Sequence, residues 1–309
     1  MGRQRDALRR IANRAGAPGI HGYRLLARKC RRAVWFILAA CWLPHAAAAQ
    51  MTFVADAGPH KMLGPRLAAG AVIWSHGRSL ESEDSLSPTP AYIETFRSQH
   101  WDAFRLNRMT ARDSLISGSH ALAQLAHYLK MQGYRRVVLA GQSFGAFISL
   151  IAVEHADDVD AVIALAPAAY GSMVENPARG WLNALRLYPI LEQIHSSRIM
   201  LFYFKNDIFD PGGRGLQSEE ILGARLVPHL IIDRPAALET HWAGSTNAFA
   251  ARFGPCIMAF VYRGAAAGPE CRAQARGSSL VSATGSESEN SAPMRRIGTQ
   301  EERFSRVRQ

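Results

Sequence analysis

Arg136-Val137-Val138-Leu139-Ala140-Gly141-Gln142-Ser143-Phe144-Gly145-Ala146-Phe147-Ile148-Ser149-Leu150-Ile151 is the stretch that decides the fold of this chain. It opens on a short β-branched and apolar run, the composition of a strand buried on both faces. From Phe144 onward it reads as an apolar helix. The chain must therefore turn from strand to helix within a few residues, and Gly141 and Gly145 stand where side chains would obstruct so sharp a turn. Gly-x-Ser-x-Gly by itself arises in roughly one chain in ten of this length. Set between a buried strand and a helix, it predicts a turn that lifts Ser143 Oγ off the backbone and points a helix N-terminus, with the Phe144 N–H, at whatever reacts there.

The pattern repeats on both sides. Ala71-Val72-Ile73-Trp74 is strand-like and runs into Ser75-His76-Gly77, and Trp101–Leu106 is the next strand candidate. Residues 112–131 carry Leu115, Leu122, Leu125, Ala126 and Leu129 at helical spacing and stop at Gly133. Downstream, Ala161–Leu165, Ile199–Phe204 and Leu230–Ile232 read as strands, and a last helix starts near Ser245 and runs toward Tyr262. Strand and helix alternating in this way predict an α/β fold: one domain with a mostly parallel central sheet, helices on both faces, and a small cap insertion over residues 168–195.

Composition sets the limits of that domain. The 309 residues carry a net charge of +11, but residues 1–50 hold ten Lys and Arg against one acid, Asp6, and so supply +9 of it. The remainder is close to neutral, which removes the electrostatic reason to expect nucleic-acid binding. The leader itself reads as an export signal. A basic stretch ends at Arg31-Arg32, an apolar run covers Ala33–Leu43, and Ala47 and Ala49 suit a peptidase cutting before Gln50. The apolar run is short for a bilayer span, so no stable membrane span is expected in the mature chain. Leu38-Ala39-Ala40-Cys41 also fits a lipobox, which keeps a lipid anchor at Cys41 as the alternative, and the start codon could lie downstream of Met1. From Ala273 onward the chain is rich in Ser, Gly, Glu, Arg and Gln and poor in large apolar residues, the composition of a segment that stays disordered. The expected layout is therefore a signal peptide at 1–49, the domain at 50–272 and a tail at 273–309, with the mature protein periplasmic or secreted. With the leader removed, Cys256 and Cys271 remain, an even count that predicts one disulfide. No Cys and His spacing resembles a zinc site.

A serine hydroxyl needs a base to act as a nucleophile at neutral pH. The later histidines are His155, His195, His229 and His241. His241 lies beyond the last strand, in Glu239-Thr240-His241-Trp242, where such a sheet places catalytic groups, and is the candidate base. The acid should follow the strand ending at Phe204. Lys205-Asn206-Asp207-Ile208-Phe209-Asp210-Pro211 offers Asp207, the choice, and Asp210, which reads better as a turn former. A second oxyanion donor is expected from the loop after Trp74, with the Arg78 N–H as first candidate and Gly77 as the alternative. His76 reads as structural.

With Ser75-His76-Gly77, Gly141–Gly145, Asp207 and His241 in that order, residues 52–271 resemble the α/β-hydrolase superfamily, closest to its compact dienelactone-hydrolase-like and esterase-like bacterial branches. The resemblance implies covalent acyl-enzyme chemistry with no cofactor but names no substrate; the small cap is what points to a modest-sized, small-molecule ester. The acid loop departs from the common Gly-x-x-Asp pattern, which leaves Asp207 and Asp210 both open. The function expected is a serine hydrolase acting on carboxylic esters. The alternatives are a peptidase or acyltransferase on the same triad, and a non-catalytic exported binding protein of this fold.

Overall fold

The computed structural model describes residues 51–78, 88–109, 113–154 and 156–276. The expected leader at 1–49, with its lipobox cysteine, and His155 lie outside the described residues, as does all but the first part of the expected tail.

Among the described residues, seven strands form one sheet. They are β1 (Thr52–Ala55), β2 (Ala71–Ser75), β3 (Asp102–Asn107), β4 (Val137–Gln142), β5 (Ala161–Leu165), β6 (Arg198–Tyr203) and β7 (His229–Asp233), in the spatial order β1-β3-β2-β4-β5-β6-β7. Of these, β1 alone runs antiparallel, pairing Thr52 with Asn107 through Ala55 with Phe104. The parallel core has the architecture that the alternating sequence pattern requires. β1 went unpredicted because its four residues are largely exposed and their apolar run, Phe53–Ala55, is only three residues long.

The central strands are apolar throughout because helices cover both faces. In β4, Val137 and Leu139 join one core, while Val138 and Ala140 join the other. The first core packs under α2 (Leu115–Met131), α3 (Phe144–Ala152), α5 (Leu187–Gln193) and α6 (Arg214–Ala224). The second packs under α1 (Ile93–Ser98), α7 (Asn247–Arg263) and α8 (Gly268–Ala275), with Phe202 edge-to-face against both Phe249 and Phe253. Truncating one such buried phenylalanine costs about 3–5 kcal/mol. The short α4 (Pro177–Leu185) starts on an Asn176 cap that accepts from Arg179 N–H.

Two sequence expectations change in detail. In the cap insertion, Leu187 and Leu191 are fully buried in the first core, so this part covers the sheet, whereas Trp181 and Leu185 are exposed. At the other end, α8 runs to Ala275, past the boundary expected at Arg272, because Cys271 is pulled into the second core and bonded to Cys256 of α7. Among the described residues, no helix is long and apolar enough to cross a membrane.

Candidate active site

The chain leaves β2 toward β3 on one side, and from β4 it winds outward through β5, β6 and β7 on the other. The loops after β2 and β4 therefore diverge, and a crevice opens at the carboxyl ends of these neighbouring strands. Ser143 sits there as the N-cap of α3, with φ 55° and ψ −121°. A non-glycine residue at this φ costs free energy and persists only where its surroundings enforce it. Here they do. Ser143 N–H donates to the Leu165 carbonyl at 2.9 Å, and its carbonyl accepts from Phe147 N–H at 3.1 Å. The flanking glycines are steric necessities. A Cβ on Gly141 would stand 2.4 Å from the Gly145 carbonyl, and one on Gly145 would stand 2.0 Å from the Ser75 carbonyl oxygen. The first turn of α3 is thus pressed against the end of β2. The Phe144 N–H, at the start of the helix, has no intrahelical acceptor.

The loops that follow β6 and β7 meet beside this turn. Asp207 follows β6 and His241 follows β7. Nδ1 of His241 lies 3.0 Å from both carboxylate oxygens of Asp207. Both side chains are buried, His241 at 3% and Asp207 at 0% exposure. Asp207 Oδ1 also accepts from Phe209 N–H at 2.8 Å, which orients the carboxylate. The two loops are laced together by Thr240 N–H to the Lys205 carbonyl at 2.7 Å and by Asn206 Nδ2 to Glu239 Oε2 at 2.7 Å. The ring of Phe209 lies 4.4 Å from that of His241, and Trp242 stands edge-on to it at 5.1 Å. Asp210 has another task. It accepts from Gly212 N–H at 2.8 Å and pairs with the buried Arg214 at 2.9 Å, and Arg214 in turn donates to the Pro167 carbonyl at 2.6 Å. Asp210 thereby ties the loop after β6 to the end of β5, and Asp207 is the aspartate that meets His241.

The other ring nitrogen of His241 is different. Nε2 is buried and, among the described residues, has no hydrogen-bond partner. The hydrogen bond between Ser143 Oγ and His241 Nε2 is therefore not closed in this state. Buried polar atoms are nearly always paired, so such an orphan marks a place where another group is expected.

On the opposite side, the loop after β2 is held by Arg108, a residue that nothing in the sequence pattern singles out. Its side chain is fully buried. Nε pairs with Asp113 at 3.1 Å, Nη1 donates to Ser75 Oγ, and Nη2 donates to the carbonyls of His76 and, at 3.1 Å, Gly77. Both ring nitrogens of His76 are occupied. Nε2 accepts from Arg108 N–H at 3.0 Å, and Nδ1 bonds the Gly77 carbonyl at 2.7 Å. His76 thus shapes this loop and is not placed to serve as a base. Arg78 is exposed, with its guanidinium 5.4 Å from the Phe144 ring centroid. A cavity of about 140 Å³ opens between these loops, lined by Trp74, His76, Gly77, Gln142, Trp242 and Ser245. Among the described residues, no cluster of His, Cys, Asp or Glu could hold a metal ion.

Arg108 stands between Arg105 and Arg112, so the residue pattern gave it no distinction. His229 opens β7 and bonds the Val227 carbonyl at 2.7 Å, and His195 lies 3.6 Å from Asp157, so neither joins the site.

No family model matches the sequence, and no curated protein matches it as a relative. Solved structures do. An esterase of Pyrococcus furiosus superposes with a TM-score of 0.50 at 14% identity, over 72% of this chain and 96% of its own. A provisionally assigned dienelactone hydrolase of Klebsiella pneumoniae gives 0.48 at 13% identity, over 69% and 99%. An acylaminoacyl peptidase of Pyrococcus horikoshii gives 0.48 at 14% identity over 64% of this chain, which spans only 37% of the peptidase's length. With its strand order, its sharp strand-to-helix turn at Ser143 and this likeness, the chain has the α/β-hydrolase fold.

Proposed function

We propose that this chain is a serine hydrolase of carboxylic esters. Ser143 is the nucleophile, His241 the proton carrier and Asp207 the group that orients it, and the N–H groups of Phe144 and Arg78 receive the oxyanion. One observation carries the reading. His241 is buried with Nδ1 held by Asp207 and with Nε2 unpartnered, beside a serine fixed at positive φ on a helix N-terminus.

In this reading Ser143 Oγ attacks the ester carbonyl carbon as its proton passes to His241 Nε2. The carbonyl oxygen becomes an oxyanion facing the Phe144 and Arg78 N–H groups, each such donor contributing about 3–4 kcal/mol to the barrier drop. The imidazolium then gives its proton to the departing alcohol, which leaves Ser143 acylated. Water, deprotonated by the same nitrogen, attacks the acyl carbon, and the proton returns to Ser143 Oγ as the acid departs. Asp207 stabilises the imidazolium and keeps its own charge throughout.

An esterase is among the proteins sharing the fold, which supports the ester reading. The leader pattern, together with the Cys256–Cys271 bond, supports an exported protein, because disulfides persist in oxidising compartments.

The test is turnover of p-nitrophenyl esters of increasing acyl length by the wild type and by Ser143→Ala. Short esters should be cleaved and the variant should be inactive. Equal rates in the two proteins would overturn the proposal.

A further inference from the structure

Gln142 is the residue immediately before Ser143, and its side chain ends in the loop that carries His241. Its Nε2 donates to the His241 carbonyl at 2.9 Å, and its Oε1 accepts from Ser245 Oγ. The two partners stand 99 and 103 residues further along the chain. The side chain is 2% exposed, so water competes little for either bond. Both halves of the amide are used, one as donor and one as acceptor. Flipping it would set its oxygen against the His241 carbonyl oxygen, so one orientation is locked.

Asp207 contacts His241 through the ring alone. That fixes the tautomer and the ring's direction, but the height of the ring over Ser143 depends on where the backbone of residue 241 sits. This backbone lies in a loop whose neighbours Glu239, Thr240 and Trp242 are exposed. The Gln142 bond anchors it to β4, the same strand that delivers the nucleophile. A tether running from the residue before the nucleophile to the carbonyl of the base makes their separation a property of one rigid element.

We propose that Gln142 is a positioning residue for the general base, holding the backbone of His241 at the height from which Nε2 reaches Ser143 Oγ. The proposal rests on the assignment of Ser143 and His241 above. Gln142 also lines the cavity of about 140 Å³, and a substrate contact there would act on KM. Positioning acts on kcat, because it concerns a hydrogen bond completed only as the reaction proceeds.

The experiment is a double-mutant cycle read by steady-state ester turnover and by the rate of fluorophosphonate labelling of Ser143. Gln142→Leu removes both bonds at nearly constant volume. Gln142→Met also removes both bonds with an uncharged side chain of similar length and more rotatable freedom, so it serves if the leucine variant fails to fold. Each should lower kcat and the labelling rate together, by about tenfold to a hundredfold as expected for displacement of a catalytic group by an ångström or less, with KM within about twofold. In a His241→Ala background, the same substitutions should leave the residual rate unchanged, since their effect passes through the histidine. An equal loss in both backgrounds, or a loss carried by KM, would overturn the proposal. Full activity of His241→Ala alone would instead remove the base assignment, a failure distinguishable from that of Gln142.

Discussion

Asp207 presents both carboxylate oxygens to Nδ1 of His241 at 3.0 Å, while Asp210, three residues further on, turns away to pair with Arg214 at 2.9 Å. Two aspartates in one loop are thus given separate tasks by their partners. Asp207→Asn should keep the fold and lower kcat by about 10⁴-fold, because the amide favours the wrong tautomer of the histidine. Asp210→Ala should leave a buried guanidinium unpaired and lower stability by about 3–5 kcal/mol, with turnover per folded molecule retained. Kinetics and denaturant melts on the two variants decide. A catalytic collapse in Asp210→Ala together with an active Asp207→Asn would reverse the assignment.

This division shows what the sequence could carry. The strand–glycine–serine–glycine–helix stretch and the alternation around it exposed the parallel sheet, because burial on both faces demands apolar runs that are visible without coordinates. The strand ends that carry Ser143, Asp207 and His241 were legible for the same reason, since each follows a recognisable apolar run. The choice between Asp207 and Asp210 was not, because it depends on which carboxylate a side chain far away in sequence reaches. Arg108 and the amide of Gln142 were hidden likewise. Their partners include backbone carbonyls, which leave no trace in the residue pattern, and side chains brought near only by the fold. β1 and the C-terminal helix α8 escaped because one is exposed and the other lies where the composition has already turned polar.

The glycines of the turn make a sharp contrast with one elsewhere. Gly145→Ala would place a Cβ 2.0 Å from the Ser75 carbonyl oxygen, a contact only backbone movement could relieve. It should abolish activity and lower the melting temperature. Gly223 lies in the last turn of α6, and a Cβ added there would meet nothing nearer than His229 Cε1 at 3.9 Å. Gly223→Ala should stabilise by about 0.5–1 kcal/mol through helix propensity and leave activity unchanged. Thermal melts of both variants check the pair.

The Cys256–Cys271 bond joins α7 to α8 and closes a loop with a sequence separation of 15 residues. In the chain-entropy view, its loss costs about 3 kcal/mol. Denaturant midpoints with and without reductant should differ accordingly, and Cys256→Ser should match the reduced protein. Ester turnover at 25 °C should be unaffected, since the bond touches none of the site residues. An unchanged midpoint on reduction would contradict this.

Burial pushes the phenols of Tyr92, Tyr134 and Tyr203 above the ordinary value of 10.0, and the Asp102 carboxylate, which accepts from Tyr134 at 2.6 Å, adds to the effect there. A neutral phenol is favoured in the folded chain, so ionisation in the unfolded chain opposes folding. The contribution of these groups to stability is whole below pH 10.0 and is lost as pH climbs from there toward their raised folded values. Denaturant midpoints should fall above pH 10.0, and phenolate absorbance from these three tyrosines should rise only with unfolding. Their ionisation near that pH in a protein that stays folded would contradict the burial argument.

Activation of Ser143 by His241 underlies every step of the proposed chemistry, and covalent labelling reads it without a substrate having to be known. The full chain is treated with a fluorophosphonate at neutral pH, and the adduct is located by peptide mass spectrometry. One adduct is expected, on Ser143, with labelling slowed by at least about a hundredfold in His241→Ala. A folded wild-type protein that takes no label at Ser143, or one labelled as fast without His241, would contradict it.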